Sequence, residues 1–157
     1  MKEVFRISKM KWYIIILVLF AFSCSHKTVV YTEEQIAGDI IYIHNTYKPF
    51  SGTCVVFFRN TDKVKEVFTV KRGRLNGKTQ SWYPNGNLCR KGSYNKGHLS
   101  GKWEFYNRDG KIVKEATFKN DSLDGTYLSY YENGKLKEKG NYKTDRKTGE
   151  WHYSTEP

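Results

Sequence analysis

From residue 25 onward, apolar residues come in short runs. Aromatic-rich stretches alternate with polar ones and are cut at regular intervals by glycine-containing turn signals. The regularity is a repeat: Gly77, Gly101, Gly125 and Gly149 are spaced by 24 residues, and Gly52 lies 25 before Gly77. Counting each leading glycine as position zero, position 5 holds Trp82, Tyr106 and Tyr130, and position 9 holds Gly86, Gly110 and Gly134. Position 11 holds Leu88, Ile112 and Leu136, and position 17 holds Tyr94, Phe118 and Tyr142. A fixed period carrying this many matches marks a chain of similar supersecondary units.

Each unit reads as a β-hairpin. Asn85-Gly86, Asp109-Gly110 and Asn133-Gly134 are favoured dipeptides for a type I′ turn, in which both central residues need positive φ. A second turn must fall near Asn95–Gly97, Asn120–Ser122 and Thr144–Arg146 to start the next unit. Two turn signals per unit leave no run long enough for paired helices. The predicted fold is therefore all-β: an elongated, single-layer antiparallel meander of about nine or ten strands, built from hairpin repeats. A two-residue turn pairs positions that sum to 17, so position 2 faces position 15. Tyr127 then opposes Gly140, Trp103 opposes Ala116 and Thr79 opposes Gly92, with a ring shielding a small residue.

By the two-residue period, Trp103, Tyr127, Trp151, Leu88, Ile112, Leu136, Tyr94, Phe118 and Tyr142 share a packed face. A three-residue turn with a bulge would shift that register. The other face carries a ladder of Trp82, Tyr106 and Tyr130, with Lys91, Lys111, Lys135, Lys137 and Lys139 beside it. Rings flanked by cations can hold a flat, anionic or sugar-like ligand by stacking and charge. The same arrangement also serves simply to stabilise a thin sheet, the lysine stems covering the rings.

The N-terminus breaks the pattern and changes the compartment. Lys2, Arg6, Lys9 and Lys11 precede an apolar run of 11 residues, Trp12–Phe22. That is short of the roughly 20 needed to span a bilayer and fits a secretory signal over residues 1–23. Cys24 directly after small-residue positions Ala21 and Ser23 resembles the lipoprotein signal, in which this cysteine is lipidated. Buried acyl carbons at about 0.8 kcal/mol each would hold the domain at a membrane. Loss of residues 1–23 lowers the net charge from +11 to about +8. Export disfavours nucleic acid as the partner of this basic chain and favours an acidic envelope ligand or protein. Residues 24–47 are read as lipidated N-terminus, tether and edge strand, with Thr32–Gln35 capping a helical turn and Ile40–Ile43 as the strand covering the first edge. The repeat domain spans 48–153 and a tail 154–157. Cys54 and Cys89, three strands apart at about 14 Å, are beyond disulfide reach and are read as packing residues.

The motif shared by GKWEFYNRDGKI and GTYLSYYENGKLKEKGNY resembles the membrane occupation and recognition nexus (MORN) repeat in its second, bacterial variant, over about residues 48–153. Lys48–Gly52 looks like the segment that commonly opens such arrays. The resemblance implies a hairpin-repeat fold and a non-catalytic interaction role. It also implies the YwqK-type antitoxin label often attached to bacterial proteins of this pattern, in which the chain would neutralise a toxin by direct binding.

No catalytic constellation stands out. His26, His44, His98 and His152 are scattered without metal-ligand spacing, no serine lies in a nucleophile elbow, and the glycines follow the turns rather than a phosphate loop. The expectation is no enzyme, no metal and no cofactor. What remains is an exported lipoprotein, placed at the outer membrane facing the periplasm, whose sheet binds an unidentified protein or acidic ligand.

Overall fold

The structure, a computed structural model, describes residues 28–31 and 48–155. The signal segment, Cys24, Thr32–Gln35 and Ile40–Ile43 lie outside the described residues. Ten strands form one sheet in the order of the chain: β1 (Thr28–Tyr31), β2 (Gly52–Phe57), β3 (Val64–Lys71), β4 (Arg74–Trp82), β5 (Leu88–Asn95), β6 (His98–Tyr106), β7 (Ile112–Lys119), β8 (Ser122–Tyr130), β9 (Leu136–Lys143) and β10 (Arg146–Tyr153). From β2 to β10 every neighbour is antiparallel, so the meander expected from the repeat is the fold. The first edge is a departure from it. β1 runs parallel to β2, Thr28 against Thr53 through Tyr31 against Val56. A parallel pair needs a long connection, and residues 32–51 supply one. Nothing in the short stretch TVVY carries the repeat signature, so its pairing was not legible.

The type I′ turn expected at the Asn-Gly and Asp-Gly dipeptides is not what forms there. The loops at Asn85-Gly86, Asp109-Gly110 and Asn133-Gly134 are not type I′. Gly86 N–H donates to the Tyr83 carbonyl at 2.9 Å and Tyr83 N–H to the Asn87 carbonyl at 2.8 Å. Gly86 has φ +91°, while Asn85, Asp109 and Asn133 are absent from the positive-φ residues. This is a three-residue loop with a type I turn and a glycine bulge. The other two loops repeat it, Gly110 to Asn107 at 3.0 Å and Gly134 to Tyr131 at 2.8 Å. Type I′ geometry is found at the opposite end of the sheet. There Lys96-Gly97, Asn120-Asp121 and Thr144-Asp145 all have positive φ at both central residues, between the paired residues Asn95/His98, Lys119/Ser122 and Lys143/Arg146.

The three-residue loop ought to have moved the register, yet Tyr127 pairs with Gly140, Trp103 with Ala116 and Thr79 with Gly92 as expected. A second irregularity cancels the first. Trp82 pairs with Leu88 but Ser81 with Arg90, so Cys89 is an extra residue that restores the sum. Val113 and Lys137 do the same in the next hairpins. The extra residue has one consequence for the faces. Leu88, Ile112 and Leu136 are the partners of Trp82, Tyr106 and Tyr130, so they lie on the ladder face and not on the packed face. Their places on the packed face are taken by Phe105 and Tyr153, stacked beside Trp103 and Trp151 with centroids 6.2 Å apart in each case. Leu99 and Leu123, paired with Tyr94 and Phe118, also belong there.

The packed face is organised as one rung crossing the sheet. Phe68 opposes Thr79; the Trp103 indole lies over Gly92; Ala116 opposes Tyr127; the Trp151 indole lies over Gly140. At each boundary between hairpins a large side chain meets a small one. The ring that covers each glycine therefore comes from the next hairpin, not from the glycine's own hairpin partner. A Cβ on Gly92 or Gly140 would overlap the indole. Trp103, 1% exposed, also meets Tyr94 and Phe118 edge-on at 5.2 and 6.4 Å, geometries that favour aromatic pairs. Toward the N-terminus aliphatic residues take over. β2 is buried throughout, with Cys54, Val56, Phe68, Val70 and Phe50 on one side and Val55, Phe57 and Val67 on the other.

Candidate functional site

The ladder face holds three environments. Trp82 packs against the Val55, Phe57 and Val67 cluster together with Val64, so it is part of the N-terminal core. Tyr106 and Tyr130 are half-buried and bonded into a polar network. The network follows from the register: Lys91 opposes Glu104, and Glu104 opposes Glu115 across β6 and β7. Two carboxylates directly opposite each other repel unless a cation joins them. Lys102, on the same face, bridges Glu104 and Glu115. Lys91 Nζ meets Glu104 at 2.7 Å. The Tyr106 hydroxyl donates to Glu104 at 2.5 Å and the Tyr130 hydroxyl to Glu115 at 2.7 Å.

Protonation states follow. Burial alone would raise Glu104, but hydrogen bonds from Lys91 and Tyr106 outweigh it and hold the carboxyl at about 2. Hydrogen bonds from Lys102 and Tyr130 depress Glu115. Burial, reinforced by the bond to Glu115, pushes Tyr130 up to about 12. Both tyrosines are thus neutral donors to ionised carboxylates, a charge-assisted arrangement. The ladder expected to present free rings amid cations is, around Tyr106, a closed set of opposite charges.

The remaining predicted lysines are dispersed. Lys111 reaches across to the Glu132 carbonyl at 3.1 Å, tying one loop to the next. Lys137 is the extra bulge residue and lies over Tyr131, 5.6 Å from the ring centroid, and not over Tyr130. Lys135 and Lys139 are exposed. Lys139 pairs with Leu128 and His152 across the last three strands. The face is therefore neutralised in its middle and basic toward β9.

Sequence reasoning missed the carboxylates. Glu104 and Glu115 occupy different repeat positions, 3 and 14, and only the strand pairing brings them together; Lys102 falls at a third. It also missed the linking tyrosines. Tyr83 donates to the Tyr106 carbonyl at 2.8 Å and Tyr131 to the Ser154 carbonyl at 2.7 Å, each from position 6 to the following unit. That signal was available in the repeat. Cys54 and Cys89 are free thiols, as their separation implied, and burial pushes Cys54 up to about 12. Among the described residues no group of three or more His, Cys, Asp and Glu side chains could hold a metal ion.

No curated protein matches the chain. The model of the MORN repeat variant matches residues 75–96, 99–120 and 123–144. Each match starts just after one type I′ turn and ends at the next, so the unit the family describes is the strand–loop–strand hairpin seen here, three times in tandem.

Proposed function

We propose that this chain is a non-catalytic envelope lipoprotein, exported by residues 1–23 and anchored through Cys24, whose MORN-variant sheet is an interaction module at the outer membrane facing the periplasm. The observation that carries the interaction role is the single layer. From β5 to β10 the ladder face has no second layer among the described residues, yet it displays half-buried Tyr106, Leu128, Tyr130 and Leu136 around ordered charges. A rigid surface with apolar side chains between fixed charges suits a protein partner with acidic groups near Lys135 and Lys139. The fit of the N-terminal segment to a lipoprotein signal supports the compartment.

The test is capture from solubilised envelopes by the tagged, lipidated chain, compared with Leu128→Glu and Lys139→Glu. One dominant envelope protein, lost with both variants while circular dichroism is unchanged, is the expected result. Capture that both variants leave intact would overturn the ladder face as the site. Recovery of a small toxic protein whose toxicity the chain suppresses would favour the antitoxin reading.

A further inference from the structure

We infer that the outer edge of β10 is a second docking site, a slot for an extended strand donated by another protein and carrying an acid, a glycine or alanine, and an aromatic at alternate positions. The inference goes beyond the ladder face, since it concerns the sheet edge and the packed face. β10 is the last strand of the sheet, and among the described residues no strand pairs with its outer side. Backbone groups point alternately to the two sides of a strand. The Ser154 N–H donates inward to the Lys137 carbonyl at 2.9 Å, so Tyr153 and Trp151 turn theirs outward. A free edge of this kind is a template for strand addition.

The repeat states what the slot takes. Gly125, Tyr127 and Ser129 of β8 pair with Tyr142, Gly140 and Glu138 of β9. In β6 and β7 the same pairing sets Gly101 against Phe118, Trp103 against Ala116 and Phe105 against Lys114. An aromatic meets the glycine, a small residue meets the large ring, and a charge meets the third position. Gly149, Trp151 and Tyr153 hold these places in β10, 24 residues after β8, and have no such partner on their outer side among the described residues. The open side leaves marks. Trp103, with a strand on either side, is 1% exposed, and its indole N–H donates to the Ser93 carbonyl at 3.2 Å. Trp151, with a strand on one side, is half-buried, and its indole N–H has no partner among the described residues. Tyr153 is exposed where Phe105 is half-buried.

Charge selects the third residue. Lys114 reaches over Phe105 from the following strand, 4.2 Å from the ring centroid. In β10 that place is taken from within the strand, by Lys147 at 3.9 Å from the Trp151 centroid and 5.2 Å from that of Tyr153. A donor therefore does best with an acid there, as β9 does on the inner side, where Glu138 meets Lys147 at 3.3 Å. A second copy of β10 fits poorly. Laid antiparallel with its glycine over Trp151, it would bring its own Lys147 to a ring that a lysine already covers. That glycine, Gly149, is also left-handed at φ +64°, whereas Gly92 and Gly140, the glycines that lie under indoles, are not in that region. Residues 1–27, 32–51 and 154–157 carry no stretch with an acid, a glycine or alanine, and an aromatic at alternate positions.

The experiment titrates the full chain into a capped, fluorescently labelled peptide of Leu136–Lys143, the β9 sequence itself, and reads polarisation. Saturable binding is expected. Methylating the peptide nitrogen of Gly140, which would meet Trp151, should weaken it by about tenfold through the lost backbone bond. Methylating Asn141, whose N–H points away from β10, should change it by less than about twofold. Gly140→Trp in the peptide should abolish binding, because two large rings would then share one rung. Tyr153→Glu in the chain sets an acid against the acid of the peptide and should weaken binding by about threefold, with circular dichroism unchanged, and Glu138→Lys in the peptide should restore it. No saturable binding, equal weakening by the two methyl groups, or no restoration by the charge exchange would overturn the inference. Sedimentation that finds a dimer of the chain, dissociated by Tyr153→Glu, would assign the edge to a second copy and overturn it as well.

Discussion

The first hairpin and the last solve the same packing problem with opposite residues. Where β3 meets β4 the earlier strand supplies the large side chain, Phe68, and the later one the small, Thr79. Where β9 meets β10 the earlier strand supplies Gly140 and the later one Trp151. The middle boundaries use Gly92 with Trp103 and Ala116 with Tyr127. What recurs is one large and one small side chain at a fixed crossing, not a residue type. Surroundings differ as well. The first boundary sits beside aliphatic clusters on both faces of the sheet, whereas Trp151 is only half-buried, beside Tyr153 at 65% exposure, with the Lys147 ammonium 3.9 Å from its ring centroid. The N-terminal strands form a base buried on both sides, and the later hairpins extend from it with one face uncovered among the described residues.

The sharpest way to probe that gradient is to delete rungs along it. Trp103→Ala, which empties a fully buried site, should cost about 3–5 kcal/mol in urea denaturation. Trp151→Ala, at the last strand, should cost about half as much, because water already reaches part of the ring. Equal costs would mean that the last hairpin is held as firmly as the middle ones. Acid separates the regions by a different route, because the carboxylates of Glu104 and Glu115, joined by Lys102, lie opposite each other in β6–β7. Glu104 sits at about 2 against an ordinary 4.5. Its contribution is complete above pH 4.5 and is lost as pH falls toward 2. Stability should drop across that window, and Glu104→Gln should flatten the drop; an unchanged profile in the variant would remove the network from the account. The smallest effect expected is at the type I′ turns. Thr144 is β-branched with φ +47°, while Asn120 occupies the same place at φ +50°. Thr144→Asn should stabilise by about 0.5–1 kcal/mol, since asparagine tolerates the left-handed region, and Asn120→Thr should lose a similar amount.

Much of this architecture was readable because a repeat states the same register several times. The period located the hairpins, and the pairing of Tyr127 with Gly140 came out as expected because the extra residue in β9 cancels the third residue of the loop. The turn types were not readable: Asn-Gly suits both a type I′ turn and a type I turn with a bulge. The compensating residue at Cys89, Val113 and Lys137 has no common chemistry to announce it. That extra residue moved Leu88, Ile112 and Leu136 across the sheet. Of the candidate site, what was readable is that position 5 recurs on alternate strands, at Trp82, Tyr106 and Tyr130. Its electrostatics were not, because Glu104, Glu115 and Lys102 fall at unrelated repeat positions and meet only through strand pairing. β1 was invisible for the same reason, being a parallel strand recruited from outside the period.

The claim that large–small rungs join one hairpin to the next is tested most directly by converting one rung into another. Gly92→Ala alone should destabilise by about 1–3 kcal/mol, because the new Cβ meets the Trp103 indole. Trp103→Tyr alone should also destabilise, leaving space above the glycine. The double variant recreates the Ala116 and Tyr127 rung found one hairpin later. Urea denaturation should find it more stable than the sum of the single losses predicts, by at least about 1 kcal/mol. Losses that add to within about 0.3 kcal/mol would show that the two sites do not pack as a unit, and the rung would not be what joins the hairpins.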